Sequence, residues 1–185
     1  QENTERLEPV FDRDHPIRST GEMRPWYTGK PCARTKKSHI NFCVYDSTWE
    51  ASDASHLDTS EAVAAWVKND HIGFEIPYLY QGVVRKYRPD FLVRLVNGEM
   101  LILETKGKEN EQDRVKHRYL DKWVQAVNAH GGFGRWRRAV VRHPGEIRDV
   151  LLQGEREYQS CGGWMTGTTR LSGLPPSVCS PKAGM

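Results

Sequence analysis

Two apolar stretches separated by Asn97-Gly98 constrain the fold of this chain more than any other feature. Residues 87 to 95 and 99 to 106 are rich in Val, Leu, Ile, Phe and Tyr, and Asn-Gly between two such runs is a strong hairpin signal. Two registers are open. A two-residue loop at Asn97-Gly98 pairs Val96 with Glu99 and sets Phe91 opposite Glu104, mixing the apolar row of one strand with the polar row of the other. A three-residue loop, Val96-Asn97-Gly98 with Gly98 left-handed, pairs Leu95 with Glu99 instead. Phe91 then faces Leu103 and Val93 faces Leu101, so that Phe91, Val93, Leu95, Leu101 and Leu103 share one face fit for a core. Side chains alternate along a strand, so a one-residue slip would ruin that face, and burial selects the three-residue loop. The same register sets Asp90 opposite Glu104, about 5 Å apart at Cβ, with Lys106 next along on the same side.

Two carboxylates held this close repel each other unless a cation or a proton sits between them. A Lys two residues on can hold or deprotonate a water beside that cation. The chemistry suggested is metal-assisted phosphodiester hydrolysis. The competing structural reading is a surface salt bridge between Lys106 and Asp90 or Glu104.

Asp90 followed by Glu104-Thr105-Lys106 resembles the PD-(D/E)xK nuclease signature. Tyr87-Arg88-Pro89-Asp90-Phe91 with Leu103-Glu104-Thr105-Lys106-Gly107 resembles the C-terminal endonuclease domain of type III restriction enzyme Res-like subunits. Upstream, Asp46 to Glu50 and Val63 to Asn69 resemble the helical lead-in of that domain. Downstream, Trp123 to Asn128 and Gly134-Arg135-Trp136 resemble its later helix and strand. The resemblance spans about residues 38 to 142 and stops short of the last quarter of the chain.

It implies a restriction-endonuclease-like α/β fold, with a central mixed sheet of four to five strands flanked by helices. Asp90 and Glu104 would each give an oxygen to Mg²⁺, with Mn²⁺ able to substitute, and the Thr105 carbonyl could supply another. Lys106 would position the attacking water or lower its pKa. Glu50 matches a Glu on the family's first helix and is read as a metal ligand through water, although a Glu in a first helical turn is favourable for the helix dipole alone. The implied activity is that of an endodeoxyribonuclease in a type III-like restriction system. The implied partners are DNA, a modification subunit, and a helicase or translocase region lying outside this chain or on a partner, since no G-x-x-x-x-G-K-[S/T] loop occurs here. A catalytically inactive DNA-binding or docking module of a helicase-nuclease is the alternative, and metal binding discriminates the two.

Along the chain, residues 1–37 read as an extended arm, with Trp26 and Tyr27 available to dock on the core, residues 38–158 as the nuclease domain, and residues 159–185, rich in Gly, Ser, Thr and Pro, as a flexible tail. A strand is expected over 39–45. Ser47 or Thr48 caps a helix starting near Trp49, and Thr59 or Ser60 caps a second helix through Trp66 to Lys68. Strands over 72–80, 83–95 and 99–106 form a meander, with Gln81-Gly82 at its first turn. From Glu109 to Ala129 the residues Val115, Tyr119, Leu120, Trp123, Val124 and Val127 make one apolar helical stripe, capped by Asn110 and ended by Gly131. A strand over 136–142 and a short helix from 145 to about 158 follow.

The net charge of +3 over 185 residues is too small to argue nucleic-acid binding, but its distribution says more. Lys30, Arg34, Lys36 and Lys37 form one basic run, Arg85, Lys86 and Arg88 precede the motif, and Arg135, Arg137, Arg138 and Arg142 follow it. Arg88, Arg135, Arg137 and, at the edge of the helical stripe, Lys116 are the candidates for phosphate contact, against the plainer reading of solvated surface charge. Hydrophobic residues at 37 % and charged residues at 28 % describe an ordinary globular chain. No apolar run approaches the roughly 18 residues that span a bilayer, so no membrane role is expected and the cytoplasm is the expected compartment. The four cysteines show no C-x-x-C pair, so reduced thiols are expected rather than structural zinc. The chain begins at Gln1 and is read as a piece of a longer product.

Overall fold

The turn at Asn97-Gly98 adopts the three-residue loop that burial demands. Leu95 N–H donates to the Glu99 carbonyl at 2.9 Å, Gly98 N–H donates back to Leu95 at 3.0 Å, and Gly98 takes a φ of +86°. The computed structural model describes residues 20–143 and 145–161, so most of the expected arm before Thr20 and the tail beyond Cys161 lie outside the described residues. In chain order the elements are β1 (Cys32–Arg34), β2 (Phe42–Val44), α1 (Thr48–Thr59), β3 (Val63–Lys68), β4 (Ile76–Tyr80), β5 (Val83–Tyr87), β6 (Phe91–Leu95), β7 (Met100–Thr105), α2 (Glu111–His130), β8 (Trp136–Val141) and α3 (Glu146–Cys161).

The main sheet is mixed and four-stranded, in the order β3-β6-β7-β8. Strand β6 pairs antiparallel with both β3 and β7, and β8 runs parallel to β7 after the crossover made by α2. Phe91 pairs with Leu103 and Val93 with Leu101, as the apolar rows require. Those rows pack against Ala54 and Leu57 of α1 and Ile147 and Leu151 of α3. Phe91 has no exposed surface, and its burial contributes about 1.5–3 kcal/mol. On the opposite face Ile102 meets Leu120 of α2 and the Ile76, Tyr78 and Tyr87 side chains.

Helix α1 starts where a cap is available: Ser47 Oγ accepts the Glu50 N–H at 3.1 Å. Helix α2 starts on a reciprocal cap between Asn110 and Asp113 and ends on Gly131, left-handed at φ +75°. Among the described residues no helix is long and apolar enough to cross a membrane.

Residues 63–68, expected as the end of a second helix, form strand β3 instead. Its two alanines and its lysine favour a helix, yet pairing with β6 buries Val63, Trp66, Val67 and Lys68, and tertiary packing overrides the local preference. Ser60, expected to open that helix, closes α1 with its N–H on the His56 carbonyl at 2.9 Å. The expected three-strand meander is divided between two sheets. Pro89 has no N–H to give a ladder, so the long middle strand breaks at Arg88-Pro89-Asp90. Strands β4 and β5 then form a separate hairpin, closed at Gln81 and Gly82 with φ of 50° and 74°. The strand expected over 39–45 is trimmed to β2, whose partner β1 comes from the stretch read as an arm. Trp26 of that stretch sits 4.4 Å from the His71 ring, whereas Tyr27 is fully exposed.

Candidate active site

The hairpin register brings the start of β6 and the end of β7 together. Asp90, just before β6, accepts the Thr105 N–H at 2.7 Å. Alternation then sorts the neighbouring side chains between the two faces of the sheet. Glu104 follows the row of Ile102 toward α2. Thr105 follows Leu103 toward α1, where its hydroxyl donates to Asp53 Oδ2 at 2.7 Å.

Glu104 is 6 % exposed, so its charge needs partners. The Tyr87 hydroxyl donates to Oε2, and His117 Nε2 stands 3.2 Å from the same oxygen. The other ring nitrogen of His117 lies 2.7 Å from Glu109 Oε1. Carboxylates facing both nitrogens favour the doubly protonated ring, and the hydrogen bond to Glu104 raises the His117 pKa above its ordinary value despite burial. Burial and the Glu104 charge push the Tyr87 hydroxyl up as well, so it stays a donor. Arg142 reaches Glu109 at 3.2 Å, completing a chain from Arg142 through Glu109 and His117 to Glu104.

Asp90 has no comparable support. Burial pushes its carboxyl up to about 7, and the charges of Glu104 and Glu50 add to this against the opposing Thr105 N–H and Lys68. It lines a cleft of about 480 Å³ with Asp46, Glu50, Lys68, Asn69 and Arg88. Lys68 Nζ lies 2.9 Å from Asp46, 2.9 Å from Glu50 and 3.3 Å from Asp70, with the Val44 carbonyl also at 2.9 Å. Burial alone would lower the Lys68 pKa, but the hydrogen bonds to Glu50 and Asp46 outweigh it and hold the ammonium charged. Asn69 donates through Nδ2 to Phe74 and Pro89 carbonyls at 2.8 and 2.9 Å, which leaves Oδ1 buried without a hydrogen-bond partner.

The remaining predicted residues divide. Lys106 Nζ pairs with Asp113 Oδ2 at 3.1 Å and Lys116 Nζ with Asp113 Oδ1 at 3.0 Å, so both lysines converge on one buried carboxylate of α2. Despite burial, bonds from Lys116, the Asn110 N–H and Lys106 hold Asp113 at about 2. Arg88 stays at the cleft and is held by Glu75. Arg135 and Arg137 bind Glu99, at the other end of β7 from Glu104 and roughly 17 Å along the strand. The fold thus gathers Asp90, Glu104 and Thr105, sets Glu50 across the cleft on Lys68, and leaves Arg135 and Arg137 away from them.

Sequence reasoning missed Lys68, Tyr87 and His117. A signal for His117 exists: it precedes Leu120, Val124 and Val127 at helical spacing, which places an ionisable ring inside the apolar stripe. Among the described residues no three His, Cys, Asp or Glu side chains cluster as a ready-made metal cage. A hard cation that keeps most of its waters does not require one. Asp90, short of positive charge, and Glu104, whose two hydrogen bonds both fall on Oε2, present the oxygen donors that Mg²⁺ takes. Compared with known proteins, the chain matches no family model, no curated protein and no solved structure.

Proposed function

We propose that the chain is a metal-dependent endodeoxyribonuclease domain of the PD-(D/E)xK type, working within a type III-like restriction system. The observation that carries this reading is Asp90, a carboxyl that lines the cleft, sits across the hairpin from buried Glu104 and is pushed up to about 7. The order α1, β3, β6, β7, α2, β8, with β8 parallel to β7, supports a restriction-endonuclease-like reading of the fold.

Asp90, Glu104 and the Thr105 carbonyl are the groups that would hold Mg²⁺. Bound there, the cation would neutralise the scissile phosphate and lower the pKa of a bound water. His117 and Tyr87 fix the direction of the Glu104 carboxylate, and the Thr105 N–H fixes that of Asp90. Lys106, drawn from Asp113, would orient the attacking water. Arg88 at the cleft would meet the phosphate chain.

The second reading, a docking module without catalysis, is favoured by the partners these groups already have: Lys106 on Asp113, Glu50 on Lys68 and Glu104 on His117. Plasmid nicking by the chain with Mg²⁺, Mn²⁺, Ca²⁺ or EDTA separates the two. Nicking with Mg²⁺ or Mn²⁺ that vanishes with EDTA and in Asp90→Asn is expected of the nuclease. Mg²⁺ binding without nicking, or neither, would reject it.

A further inference from the structure

The β4–β5 hairpin stands outside the main sheet, anchored on α2 by Ile76, Tyr78 and Tyr87, while most of β5 remains exposed. Its cross-strand pairs set Leu79 against Val84 and Pro77 against Lys86 on one outward row. Leu79 is 49 % and Val84 71 % exposed, so a directly paired apolar couple lies open to solvent. Further down the same side Lys86 and Arg88 both bind Glu75. Their side chains are 70 % and 66 % exposed against 18 % for Glu75, so the carboxylate lies beneath and the cations face solvent. The chain then runs from β5 into the carboxylates: Tyr87 bonds Glu104, Arg88 lines the cleft, and Asp90 follows.

We propose that the outer row of this hairpin, Leu79, Val84 and Lys86, is a nucleic-acid contact surface that carries the DNA backbone from the hairpin tip into the cleft at Arg88. This rests on the nuclease reading above and extends it from Tyr87, on the inward face of the hairpin, to the outward row that reading does not use. A polyanion fits because the exposed charge on the row is positive and continuous with the cleft. A two-stranded ribbon is also narrow enough to enter a duplex groove. Lys86 would meet a phosphate, while Leu79 and Val84 would lie against sugars and base edges, apolar contacts indifferent to salt.

The test measures binding of a fluorescent 20-base-pair duplex by anisotropy, with Ca²⁺ present, from about 50 to 300 mM salt, beside nicking of plasmid with Mg²⁺. Lys86→Gln should weaken binding about five- to tenfold near 0.1 M salt and flatten the log–log salt slope by about one. Leu79→Ser with Val84→Ser should weaken it about threefold or more with the slope unchanged. All three positions are exposed, so circular dichroism and Tm should stay at the wild-type values. Wild-type nicking with duplex affinity unchanged in both variants would overturn the hairpin inference alone, including the case in which the hairpin docks a protein. A wild-type chain that neither binds nor nicks DNA would remove the nuclease reading and this inference with it.

Discussion

Replacing Asp90 by Asn tests whether this carboxyl is short of a cation. Lifting a carboxyl from its ordinary value near 4 to about 7 means that the folded protein disfavours the ionised form by about 4 kcal/mol. A raised acid pKa gives stability that is fully present below the unfolded value and is lost as pH rises through the folded one. For Asp90 the loss runs from about pH 4 to about pH 7. Relaxation around the cleft should roughly halve the full figure, leaving about 2 kcal/mol at pH 8. Asn cannot ionise, and its side-chain oxygen can still accept the Thr105 N–H. Asp90→Asn should therefore match the wild type near pH 4.5 and exceed it at pH 8 by about 4–8 °C in Tm for a chain of this size. Scanning calorimetry from pH 4.5 to 8 with EDTA reads this directly. Mg²⁺ at pH 8 should then raise the wild-type Tm and leave the variant nearly unmoved. A variant less stable than wild type at pH 8, or a difference that does not grow with pH, would refute the reasoning.

Lys106→Ala should keep Mg²⁺ affinity by calorimetry yet cleave DNA about 10²-fold slower if Lys106 acts on the water; unchanged cleavage at saturating DNA and metal would end that assignment. Gln at position 117 removes the charged link between Glu104 and Glu109 and should cost about 1–3 kcal/mol in urea unfolding at pH 5.5. Because the His117 pKa is raised, this stabilisation is present below about 6.5 and fades as pH rises through the folded value, so the cost of His117→Gln should shrink by pH 9. An equal cost at both pH values would show that the ring acts by packing alone.

The parts of the fold legible in the sequence are those where one physical requirement had a single solution. The three-residue loop was such a case, because only that register puts Phe91 on Leu103 and keeps both apolar rows on one face. Helix α2 was another, with a cap, a stripe and a left-handed glycine in agreement. Strand β3 was not, since Val63-Ala64-Ala65-Trp66 suits either a helix or a buried strand, and only the neighbour β6 decides. The carboxylates were legible through the same register, but their partners were not. Lys106 on Asp113, His117 on Glu104 and Lys68 on Glu50 each join different elements of the fold, and local pattern carries no record of which cation meets which acid.

The distribution of those partners decides where a cation or ligand would enter. Glu50 and Asp46 share Lys68, Asp113 holds Lys106 and Lys116, and Glu104 and Glu109 share His117. Around Thr105 two acids are satisfied by neutral donors instead, Asp90 by its backbone N–H and Asp53 by its hydroxyl. Burial raises the pKa of both. Asp53 is 2 % exposed in the interface of α1 with the sheet, where a proton is the simplest remedy. Asp90 faces the open cleft, so solvent can bring it a hydrated cation as readily as a proton. Charge brought to this end of the sheet therefore acts first on Asp90, and meets Glu104 through Oε1, since the protons of His117 and Tyr87 both fall on Oε2.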